Sequence, residues 1–171
     1  MLIKNFLFDE YASELKSLRK LCWSQNSLST IQPIISDSLD DKPFTRHWGV
    51  FFQEKLVAAS RVSILHSGLD FEFDYLLIDV DKDNKTYAFY SRLVVHPDFQ
   101  NKGISRKLDK VRLNFLEGQK LDFIFATAKN NRFESLKELG WRSIGSINNN
   151  NNSNWVLGKS EIIIYEYPKG R

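Results

Sequence analysis

The run LVVHPDFQNKGISRKL, Leu93 to Leu108, leaves the chain few options. Its apolar start reads as a strand, extending back through TYAFYSRLVV. His96-Pro97 must end that strand, because proline has no ladder donor and pushes the residue before it out of helical geometry. A lone glycine, Gly103, then precedes a segment in which Ile104, Leu108, Val111 and Phe115 recur at helical spacing. Strand, turn, glycine loop and helix are expected in that order.

A helix N-terminus presents unpaired N–H groups and a partial positive charge, so a glycine loop leading into one suits a phosphate. Gly103 would let such a ligand approach the backbone. Lys102, Arg106, Lys107 and Lys110 add positive charge, Gln100 and Asn101 add neutral donors, and only Asp109 opposes them. The same residues would also describe an ordinary connection with a solvated basic face. The chain has no G-x-G-x-x-G, and its G-K-S, Gly158 to Ser160, has Ser153 where the full P-loop pattern requires a glycine, which removes the dinucleotide and P-loop patterns.

Around this run the chain reads as mixed α/β. Asp9 is expected to cap a helix with Tyr11, Leu15, Leu18 and Cys22 on one face, running to about Trp23. Residues 24–46 suggest a second, shorter helix with loops. HWGVFFQ and KLVAASRVSIL form an antiparallel hairpin across Gln53-Glu54-Lys55. The acid-rich segment after His66 fits either a strand extension or a flap. After the glycine-loop helix come a strand DFIFATA, a helix RFESLKEL closed by Gly140, and strands WRSIG and EIIIYEYP. The five asparagines Asn148 to Asn152 read as a linker between the last two strands.

At 171 residues the chain is expected to be one domain with a core large enough to need no disulfide. Cys22 is the only cysteine, which excludes an internal disulfide and a multi-cysteine zinc site, and no metal is expected. With no signal-peptide pattern at the start and no apolar run near the roughly 20 residues of a membrane helix, a cytoplasmic protein is expected, without a membrane partner. A net charge of +3 does not call for nucleic acid.

VVHPDFQNKGIS resembles the acetyl-CoA-binding motif of the GNAT acetyltransferase superfamily, an apolar strand ending V-x-P followed by Q/R-x-x-G-x-G/A. Gln100 takes the Q/R place, Gly103 the central glycine and Ser105 the last small residue, while Asn101 stands where many members have another glycine. The likeness extends to SLKELGW and covers roughly Asp9 to Tyr167. It implies a GNAT-like fold: a mixed central sheet, an antiparallel meander plus a parallel strand pair at the coenzyme A site, flanked by helices.

The resemblance also implies transfer of an acetyl group from acetyl-CoA to a primary amine, by direct attack and without a metal. Leu93, Val94 and Val95 would pair with the pantetheine arm, and the amides from Gln100, Asn101, Lys102, Gly103, Ile104 and Ser105 to Arg106 would hold the pyrophosphate. Asn130 or Asn131 would touch the pantetheine arm, with an equal claim to be a helix N-cap. A base is needed because alkylamines are protonated near neutral pH; the candidates are Glu72, Asp74 and Tyr90, each also at home as a surface or core residue. His96 reads as an exposed turn residue, and His47 and His66 as strand-end residues without visible partners.

Leu136 replaces the tyrosine that in many members protonates the departing thiolate. Asp70, Glu72, Asp74, Asp79, Asp81 and Asp83 could attract a cationic acceptor, or be a plain charged loop. Longer-chain transfer, as in an N-acyl amino acid synthase, and a non-catalytic coenzyme A-binding module are the alternatives. Monomer and homodimer fit equally.

Overall fold

In the computed structural model, residues 1–24, 34–69, 73–77, 80–148, 150 and 159–166 are described. The elements are β1 (Leu2–Phe6), α1 (Ala12–Ser24), β2 (Thr45–Phe52), β3 (Lys55–His66), β4 (Thr86–Val95), α2 (Ile104–Glu117), β5 (Phe123–Ala128), α3 (Asn130–Lys137), β6 (Arg142–Ile147) and β7 (Ser160–Glu166). The strands form one mixed sheet in the order β1-β2-β3-β4-β5-β7-β6, with β4 and β5 parallel. No helix among the described residues is long and apolar enough to cross a membrane.

The chain divides into two compact units, the first Met1–Ser63 with Ser91–Lys120 and the second Ile64–Tyr90 with Leu121–Arg171. In the first, β1 pairs antiparallel with β2 (Leu2↔Phe51 to Phe6↔His47), and β2 with β3 (Thr45↔Ser63 to Phe52↔Lys55). The turn needs only Gln53 and Glu54, both with positive φ (47° and 64°), the backbone that matches the twist of a two-residue hairpin. The segment LIKNF, which the sequence left unassigned, is an edge strand of the sheet. α1 buries Leu15, Leu18 and Cys22 against Phe6, Phe51, Ala59 and Val94, and each such large apolar side chain contributes about 2 kcal/mol. Asp9 does not cap this helix: it lies in a 3-10 turn, Phe8–Glu10, closed by the Leu7 amide donating to Glu10 Oε1 at 2.7 Å. The described part of the following segment, residues 34–44, consists of bends and turns rather than helix.

Gly49 is required by close packing, since a Cβ there would lie 2.6 Å from Leu56 Cδ1 and 2.8 Å from Phe6 Cε1. On α2 the buried residues are Ile104, Leu108, Asp109, Arg112 and Leu116, so the inward face is rotated from the expected Val111 and Phe115, which are half-buried. Arg112 occupies that face because its guanidinium finds the Asp109 carboxylate at 2.8 Å and the carbonyls of Arg61 and Ser91 at 3.4 Å.

In the second unit the parallel ladder runs from Tyr87↔Phe123 to Phe89↔Phe125. It is started by Asp122, whose amide donates to the Thr86 carbonyl (2.8 Å) and whose carboxylate accepts from the Thr86 amide (2.9 Å). Two stacked cross-strand pairs, Tyr87 on Phe123 at 5.0 Å and Phe89 on Phe125 at 4.6 Å, hold that register. α3 begins after Lys129, so Asn130 is its first residue rather than its cap, and just past its end the chain turns through a left-handed Gly140 (φ 92°), whose amide donates to the Lys137 carbonyl at 3.0 Å. The acid-rich segment contributes a 3-10 turn, Asp74–Leu77. Between β6 and β7, Asn148 and Asn150 are described; the other asparagines of that run lie outside the described residues.

Candidate active site

In the first unit, β4 delivers Leu93, Val94 and Val95 to the proline stop, with Val94 buried and its neighbours half-buried. His96 is tied on both sides: its amide donates to the Val57 carbonyl at 2.8 Å, and its Nδ1 accepts from the Asp98 amide at 3.3 Å. It is thus a half-buried cap of the 3-10 turn Pro97–Phe99 rather than a fully exposed turn residue. Gln100 Nε2 folds back to donate to the Val95 carbonyl at 3.2 Å, and Cys22 Sγ donates to the same oxygen at 3.4 Å. Burial pushes the Cys22 thiol up to about 11, so it stays protonated and is no nucleophile.

The loop then turns through two left-handed residues, Asn101 (φ 59°) and Gly103 (φ 71°). Nothing lies within 4 Å of where a Gly103 Cβ would be, so the backbone there is open to a ligand. No side chain caps the N-terminus of α2, and the Gly103 carbonyl receives the Lys107 amide at 3.2 Å as the helix begins. The amides of Ile104, Ser105 and Arg106 precede that bond and have no intrahelical acceptor. Arg106, Lys107 and Lys110 are exposed. Lys102 donates to the Asp98 carbonyl at 2.7 Å and lies 5.0 Å over the Phe99 ring, which fixes its stem beside the loop. Asp109, the apparent opponent of these cations, is buried and turned to Arg112. An open left-handed glycine, an uncapped helix start and several exposed cations together fit a phosphate-bearing ligand.

The remaining candidates lie elsewhere. In the second unit, Tyr90 is 4% exposed with its ring 5.3 Å from Trp141, Asn130 is exposed, and Leu136 is buried. Glu72, Asp70 and Asp79 lie outside the described residues. Asp74 is paired with Lys82 at 2.7 Å and Asp81 with Lys85 at 2.8 Å, so these two acids are already matched to cations. His66 Nδ1 lies 3.0 Å from Thr86 Oγ1 and His47 Nε2 lies 3.0 Å from the Asp40 carbonyl; both histidines are partnered, contrary to expectation.

Sequence reasoning missed a buried ionic network in the first unit. Arg19 on α1 holds the Asp40 carboxylate with both Nη atoms at 2.6 and 2.9 Å. Arg61 on β3 reaches Asp40 at 2.9 Å and Asp37 at 2.5 Å, and Arg92 on β4 holds Asp37 through Nε at 3.0 Å and through Nη2. Burial raises the carboxyl of Asp37, but Arg61 and Arg92 outweigh it and keep the group below the usual carboxylate range; Asp40 is likewise held low by Arg19 and Arg61. The available signal was position: Arg61 and Arg92 interrupt apolar strand runs, where a charge must be paired to be buried.

The sequence profile of the Acetyltransferase (GNAT) family matches residues 10–137. No curated protein sequence matches the chain. Among solved structures, the fold is similar to FeeM, an N-acyl amino acid synthase from uncultured soil microbes (TM-score 0.73, 12% identity, covering 99% of this chain and 97% of that one). It is also similar to an acyl-CoA N-acyltransferase from Pseudomonas aeruginosa (TM-score 0.68, 13% identity, 95% and 97% covered). A third likeness is to an aminoglycoside 6'-N-acetyltransferase complexed with coenzyme A (TM-score 0.66, 13% identity, 100% of both chains covered).

Proposed function

We propose that this chain, which belongs to the GNAT acetyltransferase family, transfers an acetyl group from acetyl-CoA to a primary amine on a small molecule or a peptide N-terminus, in the cytoplasm. The observation that carries the reading is the loop at Gly103: left-handed, open above its Cα, and leading into an uncapped helix start among exposed cations. In this reading the amides of residues 100–106 hold the pyrophosphate, with Lys102 and Arg106 adding charge. The backbone of Leu93, Val94 and Val95 pairs with the pantetheine arm as a neighbouring strand would.

The amine nitrogen attacks the thioester carbonyl carbon, and a β4 amide supports the oxyanion that forms. The C–S bond then breaks and the thiolate departs, while the proton lost from nitrogen passes to a base. Glu72 is assigned that role over Tyr90, because a carboxylate is an available proton acceptor near neutral pH, whereas Tyr90 is 4% exposed with its ring packed on the Trp141 indole. With Leu136 in place of an acid, the thiolate leaves unassisted, which a thiol pKa near 8.5 tolerates.

The likeness to an N-acyl amino acid synthase favours a second reading, transfer of a longer acyl chain. Thermal-shift titration with free coenzyme A and acetyl-CoA tests the shared premise, and the absence of any stabilisation would remove it. Turnover of acetyl-CoA against a long-chain acyl-CoA, over a panel of small amines and N-terminal peptides, separates the two. Stabilisation without turnover of either donor would leave a binding module.

A further inference from the structure

We infer that Arg92 and Asp37 are positioning residues for the acyl-transfer strand: their ion pair holds β4 in a left-handed turn and so sets the direction of the Leu93 to Val95 amides. The inference rests on the acyltransferase reading above. Arg92 lies inside a ten-residue strand yet has φ 57°, a conformation that a side chain of its type adopts only when its surroundings impose it.

The surroundings are explicit. The guanidinium binds Asp37 through Nε and Nη2 and the Ile34 carbonyl through Nη1, and its plane lies 5.1 Å over the Trp23 ring. The side chain is 11% exposed and that of Asp37 is wholly buried. Asp37 cannot follow Arg92 if it moves, because Arg61 and the Leu39 amide also hold its Oδ1. Arg61 in turn reaches back to β4, its Nε donating to Ser91 Oγ at 3.1 Å, while Arg112 donates to the Ser91 carbonyl at 3.4 Å.

Two successive residues of β4 are thus gripped from α1, the segment after it, β3 and α2, immediately before the three residues whose backbone faces the proposed thioester. If Arg92 relaxed to an extended conformation, the following peptide planes would rotate, as a one-residue change in a strand reverses which way its groups point. The network also tolerates the loss of this one side chain. Three guanidiniums, Arg19, Arg61 and Arg92, share two carboxylates, so removing Arg92 leaves two of each, and the variant is expected to fold.

Three variants at Arg92 and one at Asp37 test the inference. Arg92→Ala loses the clamp and retains a Cβ that disfavours φ 57°, whereas Arg92→Gly loses the clamp but adopts that φ freely; Arg92→Lys and Asp37→Asn weaken the pair. Backbone amide spectra without ligand, coenzyme A affinity by titration, and kcat and KM for acetyl-CoA with the best amine are measured for each. Arg92→Ala should shift the Leu93, Val94 and Val95 amides, weaken coenzyme A binding by no more than about tenfold because the phosphate loop is untouched, and lower kcat roughly 100-fold, the order expected when an oxyanion donor is misplaced. Arg92→Gly should recover about a tenth or more of the wild-type kcat and a wild-type-like amide pattern, with the other two variants between.

Unmoved amides in Arg92→Ala, an unchanged kcat, or a glycine variant no better than the alanine one would overturn the inference with the acyltransferase reading intact. A wild type that neither binds coenzyme A nor turns over any donor would overturn that reading and the catalytic half of the inference together. The amide spectra would still report whether Arg92 sets the strand.

Discussion

His47 sets a pH limit on the fold that can be worked out from its surroundings. It lies near the start of β2, fully buried, with Nε2 at 3.0 Å from the Asp40 carbonyl and no hydrogen-bond partner for Nδ1 among the described residues. Its ring stacks on Phe6 at 5.7 Å. A neutral imidazole donating from Nε2 satisfies this site, whereas a protonated one would be a fourth cation around two carboxylates. Burial pushes its pKa down from 6.5 to about 4; Arg19 and Arg61 act in the same direction, and the Asp40 carbonyl and carboxylate oppose them.

Because the folded value lies below the unfolded one, the unfolded chain binds more protons between the two. Stability from this group is therefore complete above about pH 6.5 and falls as the pH drops toward 4. At about 1.36 kcal/mol per pKa unit the loss amounts to roughly 3 kcal/mol, a large share of the about 5–15 kcal/mol of an ordinary domain. Asp37 and Asp40 do not mask it: their carboxyls are held low, so their contribution is intact above about pH 4 and disappears only below.

Urea-unfolding midpoints measured from about pH 7.5 to about pH 4.5 should fall more steeply for the wild type than for His47→Gln, whose amide can still donate to the Asp40 carbonyl. The difference should approach 3 kcal/mol at the acid end. An NMR titration of the His47 ring provides the direct check. Parallel stability curves, or a ring midpoint near the ordinary 6.5, would refute the reasoning.

Two substitutions of glycine test the packing and the loop separately. Gly103→Glu should abolish coenzyme A stabilisation in thermal shift while leaving the melting curve cooperative, because the side chain enters open space and brings a negative charge to the loop; Gly103→Ala should cost about 1 kcal/mol through its φ of 71° and weaken binding only partly. Gly49→Ala should destabilise by about 1–3 kcal/mol in denaturant unfolding, since its Cβ would lie 2.6 Å from Leu56 Cδ1, and Leu56→Ala in the same chain should relieve part of that loss.

The proline-stopped strand, the glycine loop and the helix after it were legible because each is dictated locally, by a missing donor, a left-handed backbone or an apolar period. The hairpin was legible for the same reason. What escaped was set by partners distant in sequence. The inward face of α2 was misplaced by one position because Arg112, a cation, takes a core place whose carbonyl acceptors belong to Arg61 and Ser91. LIKNF gave no strand signal: as an edge strand it buries only Phe6. His47 was assigned no partner because its acceptor is a backbone carbonyl, which no residue type announces. The place of β7 between β5 and β6 is likewise a choice of pairing that periodicity alone does not encode.

The buried ionic network has a consequence for the order in which the chain folds. The hydrogen bonds of Arg19, Arg61 and Arg92 join residues from 16 to 58 positions apart, and each guanidinium desolvated before its carboxylate arrives would stand alone in a low dielectric. The ring therefore closes late, after the β2–β3 hairpin and α1 have assembled on apolar contacts, and is absent from the folding transition state. Arg19→Met should consequently leave the refolding rate near that of the wild type and raise the unfolding rate, and a slowed refolding limb would show that the ring closes early. Late closure makes these charges a latch on the lifetime of the native state.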